Sequence, residues 1–254
     1  MESKFKLPTE TISIPSKGLI YPPDSPLSKG EIEMSYMSAK HEDILTNTNY
    51  IKNGTVLDKL LQSLIVTPIN IEDLLVGDKN ALLFAARILG YGKDYPIQFL
   101  NTQTGMTEEY VVDLTTLKEK EVDESKFTPG KNEFSFTLPQ SQNEVVFKLL
   151  THGDEKKIDQ EIKGLKKIYP NDSFEVTTRL KQLIVSVEGN REKKDIRDFV
   201  DNYLTAQDAR ALRDYYAKMM PDINTIITIE KDDYVQEGVD IPIGMNFFWP
   251  NAGV

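Results

Sequence analysis

The segment from Ser13 to Asn47 reads SIPSKGLIYPPDSPLSKGEIEMSYMSAKHEDILTN and specifies its own backbone more closely than any other part of the chain. The prolines between Ser13 and Pro26 fix φ and oppose helix formation, while the glycines permit turns. We predict that Ser13 to Pro26 contains no helix and lies, as an extended and kinked arm, across its own domain or a partner. The candidate partner-binding residues of this arm are Pro15, Gly18, Tyr21 and Pro22.

A strand and a helix are predicted directly after the arm. Apolar residues alternate with charged or small ones from Glu31 to Tyr36, which is the period of a half-buried strand. A helix from Ala39 to Thr46 follows, with Ser38 as the candidate N-cap and with acidic residues in its first turns, where the helix dipole favours anions.

Further helices complete an α-rich unit behind the arm. Thr55 opens one of them, with Asp58 three residues later in a spacing that resembles a capping box. The run from Asn80 to Leu89 is apolar nearly all round, so we expect a helix buried in the centre of the domain and capped by Asp78.

Arg87 is the exception within that apolar helix. A buried guanidinium requires carboxylate or carbonyl partners, and we predict a structural ion pair with Glu42, Asp43 or Asp73. The alternative is that Arg87 points outward from a partly exposed stripe.

The apolar period changes to two after Tyr95, which predicts a small antiparallel sheet. Gly105 suits the turn of a hairpin between the first two strands. The predicted strands are Tyr95 to Leu100, Thr107 to Asp113, Asn132 to Leu138 and Glu144 to Leu150.

The remainder of the chain is predicted to be mainly helical, with a strand from Thr225 to Glu230. Its terminal aromatics, Phe247, Phe248 and Trp249, are candidate anchors in a partner pocket, and the alternative is core packing of a returning C-terminal strand. The predicted helices are Asp154 to Lys167, Val176 to Val187, Asp195 to Leu204 and Ala206 to Met219.

Composition limits the function classes. The 254 residues contain no cysteine, which removes disulfides, thiolate metal sites and cysteine nucleophiles. The formal net charge of −10 argues against a general binder of nucleic acid and matches a basic partner surface better. No window has the apolar length of a signal peptide or a membrane span, so we expect a protein of the reducing cytoplasm that does not bind a membrane.

No catalytic, cofactor-binding or metal-binding residue is predicted. The two histidines, His41 and His152, lack partners at metal-ligand spacing and are interpreted as surface or capping residues. The chain has no nucleophile-elbow or phosphate-loop motif, so enzymatic activity is not expected. A phosphate in a pocket lined by Lys79 and Arg87 would favour the rival interpretation, an enzyme that binds nucleotides or nucleic acid.

Several blocks in one order resemble the baseplate hub and tail-assembly proteins of T4-like contractile-tailed phages. The resemblance covers roughly Phe5 to Ile158. It is carried by IPSKGLIYP (14–22), EIEMSYMSAKHEDILTN (31–47), INIEDLLVGDKNALLFAARILGYG (69–92), VVDLTTL (111–117), FSFTLP (134–139) and VVFKLLTHGDEKKI (145–158).

The resemblance implies a role in virion assembly, as a component of the baseplate hub or as a hub assembly factor, beside partners such as hub proteins and the tape measure. The alternative is an assembly chaperone that is absent from the mature virion. The resemblance also implies that many relatives carry a Cys-Pro-x-Cys-Gly knuckle at this place. This chain has Asn101 to Gly105 there and lacks the thiolate ligands, so the hairpin is expected to form without zinc.

The predicted fold class is therefore α+β. It combines an N-terminal extended arm and helical unit (1–94), a small antiparallel β unit (95–150) and a helical C-terminal part with a terminal strand or tail (151–254).

Overall fold

The computed structural model describes residues 6–231 and 234–248, and it has the predicted α+β architecture of helices combined with small antiparallel sheets. The helices are α1 (Ala39–Leu45), α2 (Thr48–Lys52), α3 (Val56–Leu64), α4 (Val76–Tyr91), α5 (His152–Ile168), α6 (Glu175–Leu183), α7 (Lys193–Asn202), α8 (Ala206–Met219) and α9 (Met245–Phe248). The strands are β1 (Thr9–Ser13), β2 (Glu31–Ser35), β3 (Asp94–Leu100), β4 (Thr107–Asp113), β5 (Phe134–Thr137), β6 (Glu144–Phe147), β7 (Ile184–Val187), β8 (Ile226–Lys231) and β9 (Tyr234–Asp240).

The N-terminal arm folds back on itself. Strand β1 pairs antiparallel with β2, and successive turns follow β1 where the sequence predicted an extended chain. Gly18 adopts a φ of +74°, and a Cβ there would lie 2.4 Å from the carbonyl oxygen of Ser28, so only glycine fits. The arm is therefore a compact, turn-rich loop between two paired strands.

The prediction that Ser13 to Pro26 contains no helix is wrong at its last residue. A short 3₁₀ helix, Pro26–Lys29, begins at Pro26, because the fixed φ of proline suits the first position of a helix. The side chain of Ser25 caps it by accepting a hydrogen bond from the amide of Leu27.

Helix α4 is the central helix, and residues 81–87 are all buried. It begins at Val76 rather than Asn80, which places Asp78 inside the first turn and makes the predicted cap wrong. Asp58 is not a capping partner of Thr55 either, since the Thr55 side chain accepts no cap hydrogen bond and the Asp58 carboxylate faces other elements.

The β structure forms separate small sheets. Strands β3 and β4 pair over their full length as predicted, and Gly105 in their turn has a φ of +69°. Strands β5, β6 and β7 form a second, three-stranded sheet in that order. The predicted helix from Val176 to Val187 is thus wrong after Leu183, because the alternately buried run IVSV pairs with β6.

The C-terminal region contains a hairpin of β8 and β9, of which only β8 was predicted. The chain then enters the short helix α9, so the expected terminal strand is wrong, and Phe247 and Phe248 are both buried in the core. Trp249 lies outside the described residues. Across residues 6–231 and 234–248, no helix has both the length and the apolar character that crossing a membrane requires.

Candidate partner-binding surface

A buried carboxylate on α4 holds the N-terminal loop in place. Asp78 is 0 % exposed, and its Oδ1 accepts a hydrogen bond from the backbone amide of Ser16 at 2.9 Å. Its Oδ2 accepts from the Ser16 hydroxyl at 2.7 Å and from the Tyr21 hydroxyl at 2.6 Å. The Tyr21 oxygen in turn accepts the backbone amide of Leu75 at 2.8 Å, so the loop is tied directly to the start of α4.

Burial dominates the electrostatics of this anchor. It raises the pKa of Asp78 to about 6, although the hydrogen bonds from Tyr21 and Ser16 act in the opposite direction. The neighbouring Asp222 raises the pKa of Asp78 further by repulsion. The pKa of Tyr21 is also raised well above its usual range, first by burial and then by the charge of Asp78.

The anchored loop forms one wall of a surface groove. The groove has a volume of about 410 Å³ and runs between residues 20–25 of the loop and three side chains from later segments, Asp73, Asn132 and Thr151. Pro15, Gly18 and Tyr21 are buried within the chain, so its own domain supplies their contacts. Among the predicted partner-binding residues of the arm, Pro22 is the exposed one, and partner contact stays a prediction for it.

Arg87 is satisfied by backbone carbonyls. Its side chain is buried and donates to the carbonyl oxygens of Phe247 (3.1 Å), Gly92 (3.0 Å) and Asp94 (3.3 Å). The predicted ion pair is therefore wrong, and so is the outward-pointing alternative. The predicted partners were Glu42, Asp43 and Asp73, which are all exposed.

Aromatic rings also surround Arg87. Its guanidinium carbon lies 5.3 Å from the ring centroid of Tyr91 and 5.6 Å from that of Tyr95. Glu42 is close to this site through Tyr91, whose hydroxyl donates to the Glu42 carboxylate at 3.4 Å. Burial lowers the pKa of Arg87, and the contacts from carbonyls and ring faces compensate for part of its lost hydration.

The C-terminal aromatics pack against the same helix. The Phe247 ring lies 5.0 Å from the rings of both Phe84 and Tyr95, and 5.5 Å from that of Phe248. Both terminal phenylalanines are buried by this chain alone. The core alternative therefore describes Phe247 and Phe248, while any role of Trp249 lies outside the described residues.

A polar network joins α3, α4 and α5. Lys79 Nζ and His152 Nε2 lie 2.7 Å and 2.8 Å from Asp58 Oδ1, and Lys156 Nζ lies 3.0 Å from Oδ2. Burial alone would raise the pKa of Asp58, but these partners outweigh it and hold the pKa well below its usual value. Burial lowers the pKa of Lys79, against the opposing effect of Asp58.

This network was missed from sequence, because its members are far apart in the chain and no local motif links them. The prediction that His152 is a surface residue is wrong, because its side chain is 12 % exposed and forms an ion pair with Asp58. His41 is a capping residue as predicted, although it is buried, and its Nδ1 accepts the backbone amide of Ser38 at 2.9 Å.

The hairpin turn between β3 and β4 is held by an asparagine. The Oδ1 atom of Asn101 accepts the backbone amides of Gln103 (2.9 Å) and Thr104 (3.1 Å), which closes the turn. Its Nδ2 donates to Glu108 at 2.7 Å. Within the described part of the chain, no three or more His, Cys, Asp or Glu side chains are grouped so that they could hold a metal ion.

Comparison with known proteins supplies one finding. The model of a family described as "T4 bacteriophage base plate protein" matches residues 20–249, which is most of the chain. The match extends through the C-terminal helices and hairpin, well beyond the region in which the motif blocks were recognised. Neither the curated proteins nor the solved structures contain a match.

Proposed function

The chain belongs to the T4 bacteriophage base plate protein family, and from this premise we propose that it is a non-enzymatic component of the baseplate hub. It acts through contacts with other tail proteins, such as hub proteins and the tape measure. It would be made in the host cytoplasm and then enter the tail.

The observation that carries the proposal, beyond family membership, is the anchored N-terminal loop. Asp78 fixes Ser16 and Tyr21 by three hydrogen bonds, and the adjacent groove leaves Pro22 and Asp24 exposed at its edge. A surface that is already ordered before binding loses little conformational entropy when a partner docks. This favours a preformed docking face over a catalytic site.

The most elaborate polar constellation also favours a structural role. Lys79, His152 and Lys156 all contact Asp58, Lys79 also contacts His152, and the four residues join three helices. Each of the four makes at least one ionic contact inside the network, and Lys156 also pairs with Glu72 at 3.0 Å, which is the pattern of a structural ion network rather than of a group held ready for substrate. Lys79 and Arg87, which the nucleotide hypothesis requires together, are engaged with Asp58 and with backbone carbonyls respectively.

Mass spectrometry of purified virions tests the proposal. A hub component should be present in a fixed ratio to the other baseplate proteins. If the protein is absent from virions but co-purifies with the tape measure or a hub protein from infected cells, it is an assembly chaperone and the component proposal fails.

The docking face can be tested by substitution in the same phage. A Pro22→Ala/Asp24→Lys variant should reduce incorporation into virions, because it changes exposed groove residues without touching the Asp78 anchor. Pro170→Ala/Asp172→Lys, which makes the same two changes at exposed residues of the turn between α5 and α6, is the matched control and should incorporate normally. Normal incorporation of the double variant would exclude this groove as the docking face.

A further inference from the structure

The first strand of the chain has an open edge. Strand β1 pairs with β2 on one side only, in an unbroken antiparallel register. Just beyond the ends of the two strands, the amide of Tyr36 donates to the carbonyl of Pro8, and the amide of Ile14 donates to that of Gly30. Because hydrogen-bonded pairs alternate along such a ladder, the even-numbered residues of β1 bond β2 and the odd-numbered residues face away from it.

The odd-numbered residues leave their backbone groups unpaired. Among the described residues, none bonds the N–H or C=O groups of Thr9, Thr11 and Ser13, and all three residues are exposed. The far edge of the sheet differs, since Val66 donates its amide to the carbonyl of Glu33 there. Native sheets usually protect an exposed edge with lysine, proline or a bulge, but the TETIS sequence of β1 has none of these.

An apolar groove lies along the open edge. It has a volume of about 410 Å³, and it is lined by β1, by one face of α4 and by the segments around Leu117 and Ile223. The structure leaves several of its apolar lining residues partly exposed, namely Ile12, Ile88, Leu89, Leu117 and Ile223. Open apolar surface therefore lies directly beside the unpaired backbone groups.

The sheet at this edge is acidic. Its two strands contain Glu10, Glu31 and Glu33 but no lysine or arginine, and all three glutamates are exposed. No lysine or arginine of the described ranges forms a salt bridge with any of them. These carboxylates favour a basic ligand over an acidic one.

We propose that β1 accepts an extended segment of another protein as a third strand of the β1–β2 sheet. The backbone of this segment bonds Thr9, Thr11 and Ser13, and its apolar side chains enter the groove at every second position. Basic side chains at the positions between them face the glutamates of β2. An extended polypeptide combines backbone donors and acceptors at strand spacing with side chains that alternate between two faces, whereas a helix or a nucleic acid does not.

Two other occupants match the edge less well. Pairing β1 with β1 of a second copy would bring together two identical acidic strands from chains of net charge −10, and like charges on neighbouring strands are destabilising. The chain's own residues 1–5 would have to fold back along β1, but residues 6–8 contain no turn.

This edge is separate from the groove at Pro22, and its assignment does not depend on the hub proposal. The test uses the purified full-length chain and no virions, so a failure here leaves the virion experiment to be decided on its own. The probe is a capped heptapeptide in which lysine and valine alternate. The comparison peptides carry glutamate for lysine, serine for valine, or an N-methyl group on the backbone nitrogen of either every lysine or every valine.

Binding is measured by NMR titration and by amide hydrogen exchange. We expect the lysine–valine peptide to bind and to slow exchange at the amides of Thr9, Thr11 and Ser13, which are open in the free chain. The glutamate and serine peptides should bind more weakly. Because alternate amides of an added strand face β1, one N-methylated peptide should bind at least about tenfold more weakly and the other like the parent.

A substitution at the edge tests the same contact from the protein side. Thr11→Pro removes an outward-facing amide but no hydrogen bond to β2, so it should fold and should bind the peptide at least about tenfold more weakly. The matched control is Thr107→Pro, at an exposed residue of β4 whose amide also faces away from its partner strand, and it should bind like the wild type. Thermal melts establish that both variants are folded, and if Thr11→Pro is not, the pair of N-methylated peptides decides.

Several results would overturn the proposal. These are no binding of the lysine–valine peptide, tighter binding of the glutamate peptide, equal binding of the two N-methylated peptides, or equal binding by the two folded proline variants. Slow exchange at Thr9, Thr11 and Ser13 in the free chain would also overturn it. If that protection is lost on dilution, a second copy covers the edge, and if it is lost when residues 1–5 are removed, the chain's own N-terminal segment does.

Discussion

The hydroxyl oxygen of Tyr21 lies 2.6 Å from Oδ2 of Asp78, although 57 residues separate the two in the chain. The contact joins the loop between β1 and β2 to the first turn of the central helix α4. The same oxygen accepts the Leu75 amide, one of the four amides that a helix start leaves without an intrahelical acceptor. The Tyr21 side chain therefore anchors the loop and also satisfies a backbone amide at the start of α4.

We expect Tyr21→Phe to lower the free energy of unfolding by about 2 kcal/mol, because it removes a charge-assisted hydrogen bond and leaves a buried amide unpaired. Urea unfolding measures this. Tyr36→Phe is the matched control, since its hydroxyl bonds Glu10 at 3.1 Å in an exposed setting and its loss should cost less than about 0.5 kcal/mol. If the two substitutions lower the free energy of unfolding equally, Tyr21 does not anchor the loop as described.

The buried Asp78 should make stability depend on pH in the unusual direction for an acid. Its folded pKa of about 6 exceeds the unfolded value near 3.8, so the folded state holds a proton that the unfolded state has lost between these two pH values. Stability from this group is therefore fully present below about pH 4 and is lost as the pH rises through about 6, by about 3 kcal/mol in total.

Asp78→Asn cannot titrate, so the stability advantage of the wild type over the variant should shrink by about 2.5 kcal/mol between pH 4 and pH 7. Urea midpoints at the two pH values measure the difference. The Asn variant also has weaker hydrogen bonds than the wild type, but this loss is the same at both pH values. It therefore cancels when the two stability differences are compared. Unfolding curves that keep a constant separation from pH 4 to pH 7 would mean that the Asp78 pKa is not raised.

The parts of the fold that the sequence predicted are those with strong local periodicity. Helix α8 has the predicted bounds, Ala206–Met219, and the β3–β4 hairpin is paired as its alternation indicates. Strand β9 was missed because its residues, YVQEGVD, are mostly exposed. The segment therefore lacks the alternation of apolar and polar residues by which a half-buried strand is predicted. Strand β7 was missed because its four residues directly follow helix α6 without a break. Only their pairing with β6 identifies them as a strand.

The candidate sites were harder to predict than the elements. Asp58, Lys79 and His152 come together only when three helices pack, and their sequence separation hides the network. For Arg87 the sequence left open whether the guanidinium is buried or points outward. Its carbonyl partners could not be predicted, because one of them belongs to Phe247, which returns to the core from far along the chain.

Removing the Asp58 charge should be strongly destabilising. In Asp58→Asn, the half-buried Lys79 loses its carboxylate, and we expect a cost of roughly 3 kcal/mol, as for other broken buried pairs. Because the folded pKa of Asp58 is depressed, this contribution is present above about pH 4 and is lost as the pH falls below it. Asp43→Asn, at an exposed acid on α1, is the control and should change the unfolding midpoint little.

Gly77 should tolerate no side chain. A Cβ at this position of α4 would lie 1.9 Å from the carbonyl oxygen of Pro221, so Gly77→Ala must displace backbone and should cost at least about 2 kcal/mol. Gly164→Ala in α5 is the matched control: nothing lies within 4 Å of its Cβ, and alanine should stabilise the helix by about 0.5–1 kcal/mol. Calorimetric melting temperatures should therefore move in opposite directions, and a stabilising Gly77→Ala would refute the close approach.

The C-terminal helix α9 should be an integral part of the core rather than a free anchor. Phe248 is 1 % exposed, and Phe247 both packs on Phe84 and accepts the Arg87 guanidinium through its carbonyl. Phe248→Ala should therefore lower the free energy of unfolding of the isolated protein by about 3 kcal/mol, as large core truncations do. Met106→Ala, at a side chain that is 68 % exposed, should leave stability almost unchanged. If Phe248→Ala melts like the wild type but weakens capture of a tail protein in a pull-down, the residue is an interface anchor and its burial by this chain is not what stabilises the fold.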